Sequence, residues 1–317
     1  MMLHVFELSF NFGIMEISKK GVLTMVVEMF NLPYFIYIAA AFLLTWISIK
    51  FLDRKNEKFR YWFIYGLILF NLFVHFAKTL IYPYTTLGFP EIITKVSFEN
   101  ICAVSALLFP VLFFAKNKTL RDYMVMVGVA SGIITFIYPI DAISSLFNAV
   151  EIGVKPAFSL EVIRFYFSHF LIFLSPFLML HYKIHELSFK RAYRAPLMLL
   201  SILVIIFINE TLITLFGWVP KEQFFDPQHR NPSFIFGVRG DLSGLGMVLG
   251  VLVPGFFRVN PFFSGHAYFP VLWLLFPAMI YGSLIALIFM LIYDTDTTLK
   301  FFKLKARLPK EEETTIS

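Results

Sequence analysis

The sequence has few charged residues for its length. Asp, Glu, Lys and Arg make up only 15% of its 317 residues, whereas soluble domains carry about 25% charge. Hydrophobic residues make up 58%, and the mean hydropathy is +0.75. Aromatic residues alone reach 19%, which is more than one soluble core can bury. The composition excludes a soluble enzyme, a nucleic-acid-binding module and a disordered scaffold, and it predicts an integral membrane protein.

The chain contains one cysteine, Cys102, which excludes an intramolecular disulfide and a cysteine-based metal cluster. The N-terminus lacks the basic, apolar and small-residue regions of a secretory signal, so we expect no removable signal peptide. His181 and His185 have the spacing of two metal ligands, but no second pair accompanies them. We therefore predict neither a metal site nor a cofactor.

Seven stretches are long and apolar enough to cross about 30 Å of hydrocarbon. Such stretches must be helical in lipid, because an open strand edge would leave backbone groups unpaired. The sequence thus predicts an all-α, multi-pass transmembrane bundle. The seven predicted spans are Leu32–Ile49, Tyr61–Ile81, Phe98–Ala115, Tyr123–Tyr138, Phe165–Tyr182, Pro196–Trp218 and Phe269–Tyr293.

Lys and Arg are distributed unevenly between the two sides of this predicted bundle. They concentrate at 50–60, 116–121, 183–194 and 300–310, all of which fall on one side when seven spans are threaded. The short connections after spans 2 and 4 contain almost none. Because basic loops stay inside, we predict that the N-terminus is outside and the C-terminus inside.

The predicted membrane domain covers residues 32–300 and has three further parts. Residues 1–31 alternate apolar and charged positions, which we interpret as an interfacial helix. Residues 219–268 form a long outer connection, in which the apolar, Gly-rich stretch 242–257 favours a re-entrant or surface-lying hairpin. Residues 301–317 form a basic-then-acidic cytoplasmic tail.

Polar residues gather in the predicted outer half of the bundle. Cys102 lies about 6 Å into span 3, and His169 lies about 7.5 Å into span 5, at a rise of 1.5 Å per residue. Both spans run inward, so the two side chains are at nearly the same depth. Ionisable residues inside a membrane are costly and indicate function.

Other polar residues reach the same depth. Asn71, His75 and Lys78 share one face of span 2. Further candidates near the outer ends of the spans are Glu99, Asn100, Ser105, Asp141, Arg164, Ser168, Asn209 and Glu210.

This arrangement favours a nucleophile with a base. A thiol in an apolar bundle is inert unless a neighbour accepts its proton, and a histidine can do so when a third group orients it. The thiolate of Cys102 would attack an ester carbonyl, and His169 would protonate the departing hydroxyl. The alternative is structural: a lone cysteine in a membrane helix is often a small packing residue, and a lone histidine is often only hydrogen-bonded.

Three segments resemble a known family. Glu99-Asn100-Ile101-Cys102 is similar to the cysteine box of YwaF-like proteins and their animal relatives, the transmembrane protein 164 family. The stretch from Gly128 and Gly132 to Tyr138-Pro139-Ile140-Asp141 resembles their fourth span. Phe167-Ser168-His169 resembles their Ser-His signature. The resemblance covers roughly residues 60–218.

The animal members are regarded as acyltransferases that move fatty acyl chains between phospholipids through a Cys/His pair. The resemblance therefore implies Cys102 as nucleophile and His169 as its partner. Family members often have a histidine two residues before the cysteine, where this chain has Asn100. His169 or His75 would then move protons alone. The 219–268 connection also departs from the family pattern.

Two functional hypotheses follow, with a structural subunit as a third. The first is a phospholipid acyltransferase of the bacterial cell membrane that acts on membrane phospholipids and uses Cys102 and His169. The groups that would orient the pair are Glu99, Asn100, Asp141, Ser168, His75 and Asn209, and those that would hold a lipid phosphate are Lys78 and Arg164. The second is a binding or transport protein without catalysis, in which His75, Lys78 and Glu210 hold a solute and Cys102 is incidental.

Overall fold

The computed structural model describes residues 15–17, 23–230, 232–239, 243–262 and 264–303. The described chain is predominantly helical, as predicted. Its longer helices are α1 (Leu32–Asp53), α2 (Glu57–Ala77), α4 (Ile101–Leu112), α5 (Lys118–Ile137), α7 (Leu160–His181), α9 (Arg194–Leu215) and α11 (Leu275–Tyr293).

Short elements connect these helices. The short α-helices are α3 (Glu91–Thr94), α6 (Ile140–Ile143), α8 (Phe189–Ala192), α10 (Ser243–Gly250) and α12 (Thr295–Phe301). Two small antiparallel hairpins pair β1 (Met15–Ile17) with β2 (Leu23–Met25), and β3 (Leu146–Phe147) with β4 (Val150–Glu151). Single 3₁₀ turns lie at Lys78–Leu80, Tyr84–Thr86, Lys221–Gln223, Gly255–Arg258 and Leu272–Leu274.

Six of the described helices are long and apolar enough to cross a membrane: α1, α2, α5, α7, α9 and α11. The third predicted span, Phe98–Ala115, is shorter in the structure. It forms the 12-residue helix α4, which is about 18 Å long. The helix begins late because Asn100 caps it: the Asn100 side chain accepts a hydrogen bond from the Ala103 N–H at 2.9 Å.

The N-terminal segment differs from the predicted interfacial helix. Where it is described, it forms the hairpin of β1 and β2, and Ala157 N–H extends the pairing by donating to the Met25 carbonyl at 2.7 Å. The alternation of apolar and charged residues has a period of two, which is typical of a strand and not of a helix. The remaining residues of the segment, 1–14 and 18–22, lie outside the described part.

The most buried helix, α7, packs closely against α5. Two glycines of α5 allow this approach. A Cβ atom at Gly132 would lie 2.5 Å from Phe173 Cβ and 3.1 Å from the His169 carbonyl oxygen, and one at Gly128 would lie 3.0 Å from Pro176 Cγ. Spaced by four, they form the small-residue contact common between membrane helices. The fourth predicted span, which forms α5, thus positions α7, the helix that carries His169.

Helices α2 and α4 complete the wall beside α7, and α9 packs against α11. By contrast, α1 exposes apolar side chains along most of its length, such as Phe42 and Trp46. A helix that is apolar all round and uncovered by protein is typical of contact with lipid.

The 219–268 connection folds back onto the bundle. Ile235 and Phe236 lie in the main core, and Trp273 Nε1 donates to the Phe234 carbonyl at 2.8 Å. Arg230, in the same connection, is only 6% exposed. Sequence composition misses this because the guanidinium is neutralised by acidic partners distant in sequence.

The predicted hairpin at 242–257 contains α10 and the turn at Gly255–Arg258. Tyr281 donates from its hydroxyl to the Val248 carbonyl at 3.0 Å, which ties α10 to α11. Of the predicted cytoplasmic tail, 301–303 end the described chain, and 304–317 lie outside it.

Candidate active site

Cys102 lies in the first turn of α4. The Ile101 N–H at the same helix end donates to the Ser233 hydroxyl at 2.8 Å. The start of this helix is therefore fixed from two sides, by the Asn100 cap and by the 219–268 connection. Cys102 itself is half-buried.

His169 lies in the middle of the buried face of α7, nine residues after Leu160 and so about 13.5 Å along the helix. Its Nε2 is 3.2 Å from Cys102 Sγ. Its Nδ1 is 2.7 Å from the Phe165 carbonyl oxygen. A carbonyl oxygen can only accept, so Nδ1 carries the proton and Nε2 presents its lone pair to the thiol.

The predicted proximity of Cys102 and His169 is thus observed, and their catalytic role stays a prediction. The structure shows a thiol donor facing a histidine acceptor, which is the arrangement required for proton removal from a nucleophile. Phe165, one turn before His169, supplies the orienting group through its backbone. Sequence reasoning missed it because any residue carries a carbonyl.

The polar side chains expected to orient the pair hydrogen-bond elsewhere. Asn100 caps α4, and Glu99 accepts from Lys95 at 2.8 Å. Asn209 Nδ2 donates to Ser97 Oγ at 3.1 Å. Glu99 precedes the helix that carries Cys102, because α4 begins at Ile101.

Asp141 follows the end of α5, as predicted. The Lys155 ammonium donates to its backbone carbonyl at 2.5 Å. Burial lowers the pKa of Lys155, which lies outside the membrane-spanning helices. The described hydrogen bonds of Cys102 and His169 do not include Asp141.

His75, Asn71 and Ser168 lie beside the pair without joining it. Ser168 donates from its hydroxyl to Asn71 Oδ1 at 2.8 Å. His75 Nε2 is 3.1 Å from the Val96 carbonyl oxygen. That bond makes Nε2 the protonated nitrogen of His75. All three side chains are buried.

The two predicted phosphate ligands are brought together over one ring. Lys78 Nζ is 5.5 Å and Arg164 Cζ is 5.6 Å from the centroid of Tyr84. Arg164 also binds Glu161 through two hydrogen bonds, at 2.7 and 2.6 Å. Lys78 is 6% exposed and forms no ion pair with any residue in the described ranges.

A second group of charges lies near the C-terminal end of α9. Arg230 binds Glu210 through two hydrogen bonds, one of them 3.0 Å long, and it donates to Thr94 Oγ1 at 3.0 Å. Its guanidinium also lies 3.9 Å from Glu99. Burial would raise the pKa of Glu99, but Lys95 and Arg230 outweigh burial and hold it below its usual range. This network is balanced in charge, which is typical of a structural role.

A separate triad lies at the end of the bundle where α5 begins and α7 ends. Asp122 accepts from Arg191 Nε at 2.6 Å and lies 2.8 Å from His185 Nε2. His185 is buried. No group of three His, Cys, Asp or Glu suited to a metal occurs among the described residues.

Comparison with known proteins confirms the resemblance found in the sequence. The model of the TMEM164 family matches residues 24–219. No curated protein and no solved structure matches the chain. The matched region contains Cys102, His169, Lys78 and Arg164, and it ends before Arg230. Because the match spans more than half of the 317 residues, the chain belongs to the TMEM164 family.

Proposed function

We propose that the protein is a membrane acyltransferase that moves fatty acyl chains between phospholipids through a thioester on Cys102. One observation carries the proposal: His169 Nε2 faces Cys102 Sγ at 3.2 Å while Nδ1 is bonded to the Phe165 carbonyl. A histidine oriented in this way is a base for the thiol. Family membership supports the same reading.

In the first half of the reaction, His169 Nε2 takes the proton of Cys102. The thiolate sulfur attacks the acyl carbonyl carbon of a phospholipid, and the carbon–sulfur bond forms. The ester carbon–oxygen bond then breaks, and the lysophospholipid oxygen takes the proton from His169. The products are an acyl thioester on Cys102 and a lysophospholipid.

The second half reverses these steps with another acceptor. The hydroxyl of a second lysophospholipid gives its proton to His169 and attacks the thioester, which restores the thiol. The surroundings of His169, with its 9% exposure, favour transfer to an alcohol over hydrolysis because water is excluded.

The cationic groups beside the pair suit the phosphate of such a substrate. Lys78 and Arg164 share the ring of Tyr84, and Lys78 has no carboxylate partner among the described residues. An anion would neutralise this buried ammonium, which is costly to leave unpaired. We assign the headgroup phosphate to Lys78, with Arg164 assisting.

Intact-protein mass spectrometry tests the proposal. The purified protein is incubated with a short-chain phospholipid, alongside Cys102→Ala. We expect an acyl adduct that hydroxylamine removes and that the variant lacks. An equal adduct on folded Cys102→Ala, or no adduct on the wild type across several phospholipids, would contradict a thioester mechanism.

The unpaired charge of Lys78 also favours a second candidate, a binding or transport protein for an anionic solute. In that case Lys78→Ala and His75→Ala abolish binding or uptake, and Cys102→Ala has no effect. The enzyme hypothesis instead predicts that Cys102→Ala abolishes acyl transfer and that Lys78→Ala raises the KM for phospholipid. These two results together would exclude the binding or transport hypothesis.

We further propose that α4 makes a seventh crossing in a bacterial cell membrane, with the N-terminus outside and the C-terminus inside. The basic residues at 50–60, 116–121, 183–194 and 300–303 support this orientation. Threading α4 as a crossing places all four groups on one side. A short helix suffices where protein contacts satisfy the backbone at its ends, and the Asn100 side chain does this at the start of α4 by accepting from the Ala103 N–H.

A further inference from the structure

Two buried hydroxyls lie near Cys102 without a hydrogen-bond partner. Ser105 is 0% and Tyr123 1% exposed. Neither hydroxyl makes a hydrogen bond of acceptable geometry with any residue that the structure describes. A buried hydroxyl in this state costs about 1–3 kcal/mol, so a group that such a site binds would relieve the cost.

Their position follows from the helices that carry them. Ser105 is three residues after Cys102 on α4, so both side chains lie on one face, with about 5–6 Å between their Cβ atoms. Tyr123, on α5, belongs to the core cluster against which Cys102 packs, and α5 contacts α4 directly. Ser105 therefore lies about one turn further along α4 than the thiol, and Tyr123 packs in the core beside it.

Several other polar groups around the thiol are already bonded. Ser168 donates to Asn71, and His75 is bonded to the Val96 carbonyl. At the start of α4, the N–H of Ile101 donates to Ser233, and the N–H of Ala103 donates to Asn100. By contrast, the hydroxyls of Ser105 and Tyr123 have no hydrogen-bond acceptor among the described residues.

Attack by the thiolate moves an electron pair onto the acyl oxygen. In the proposed reaction, the sulfur–carbon bond forms, the carbonyl π pair becomes an oxyanion, and the pair returns to carbon when the ester oxygen leaves. Donors fixed in a site of low dielectric stabilise such an oxyanion strongly. His169 is engaged with the transferred proton and cannot also supply this hydrogen bond.

We propose that Ser105 and Tyr123 donate hydrogen bonds to this oxyanion. The inference rests on the proposed thioester mechanism and adds two catalytic residues to it. The side-chain hydroxyl of Ser105 and the phenol of Tyr123 are unpaired in the resting protein, and they gain their acceptor when the tetrahedral intermediate forms.

Two reactions of the same thiol test this role. Acylation by a short-chain phospholipid passes through an oxyanion, whereas alkylation by iodoacetamide displaces iodide at saturated carbon and forms none. We expect Ser105→Ala and Tyr123→Phe each to lower the acylation rate by about 10- to 100-fold, somewhat below the loss typical of a single strong donor. The rate of alkylation of Cys102 should stay within about twofold of the wild type.

Matched controls remove buried hydroxyls that lie outside the proposed site. Tyr166→Phe deletes a buried phenol that also lacks a described partner and stacks on Tyr37 at 3.9 Å. Ser175→Ala deletes a buried hydroxyl bonded to the Leu171 carbonyl. Both should acylate at the wild-type rate.

The outcomes separate the two proposals. Unchanged acylation in Ser105→Ala and Tyr123→Phe, with loss in Cys102→Ala, would overturn the oxyanion role and leave the thioester mechanism standing. An equal loss of acylation and alkylation would also overturn it, because it would indicate a displaced thiol. Persistence of the acyl adduct in Cys102→Ala would end both proposals.

Discussion

At the scale of single residues, the tautomer of His169 decides what the site can do. The Phe165 carbonyl holds the proton on Nδ1, so Nε2 is free to accept from the Cys102 thiol. If the proton were on Nε2 instead of Nδ1, His169 would donate a hydrogen bond to the thiol and could not act as its base. The backbone of α7 therefore supplies the orientation that carboxylates supply in many other nucleophile–base pairs.

We predict that His169→Gln lowers acylation of Cys102 by at least about 100-fold, because the amide cannot act as a base. Unlike the hydroxyl variants, it should also slow alkylation by iodoacetamide, because thiolate formation itself is lost. Both rates are measured by intact-protein mass spectrometry. Wild-type alkylation in the variant would show that His169 does not activate the thiol.

The pair could be predicted from sequence, but its surroundings could not. Hydropathy places Cys102 and His169 at one depth to within about a helical turn. The partners of Glu99 depend on contacts with Arg230, 131 residues later in the chain, which periodicity cannot show. Asn100 directly precedes an apolar run, which is the pattern of a helix N-cap. This pattern predicts a third span that begins at Ile101 and not at Phe98.

At the scale of elements, the contact between α5 and α7 sets the position of the base. Gly132 faces the carbonyl of His169 and the Cβ of Phe173. This pair of glycines was part of the family resemblance, and its physical reason is the close approach of two helices.

We predict that Gly132→Ala destabilises the protein by about 1–3 kcal/mol through overpacking and lowers acylation by shifting His169. Gly66→Ala is the matched control, since nothing lies within 4 Å of a Cβ built there and alanine favours helix. Thermal unfolding in detergent measures stability, and the thioester assay measures activity. If Gly132→Ala and Gly66→Ala had the same unfolding temperature and the same acylation rate, a tight contact at Gly132 would be contradicted.

At the scale of the whole molecule, the 219–268 connection is held to the bundle by Arg230 and Ser233. Removing one partner of a buried ion pair leaves an uncompensated charge and typically costs about 3–5 kcal/mol, whereas replacing both is often nearly neutral. We therefore predict that Arg230→Met is strongly destabilising and that Glu210→Leu in the same chain restores much of the loss. Thermal unfolding of the single and double variants checks this, and additive losses would contradict coupling.

The number of crossings also belongs to this scale. With seven, Lys58 and Lys303 lie on the same side; with six, and α4 returning to its own side, they lie on opposite sides. We predict that Lys58→Cys and Lys303→Cys, each made in Cys102→Ser, are both protected from an impermeant maleimide in intact cells. Both should react after lysis. Labelling of Lys303→Cys alone in intact cells would exclude the seventh crossing.

The solitary thiol has a consequence for how the protein withstands oxidation. A sulfenic acid formed on Cys102 has no second cysteine in the chain with which to condense, so an external thiol must reduce it before further oxidation makes the damage permanent. Its partial burial in the bundle therefore serves as its protection, and peroxide resistance of the site should depend on the reductants the cell supplies.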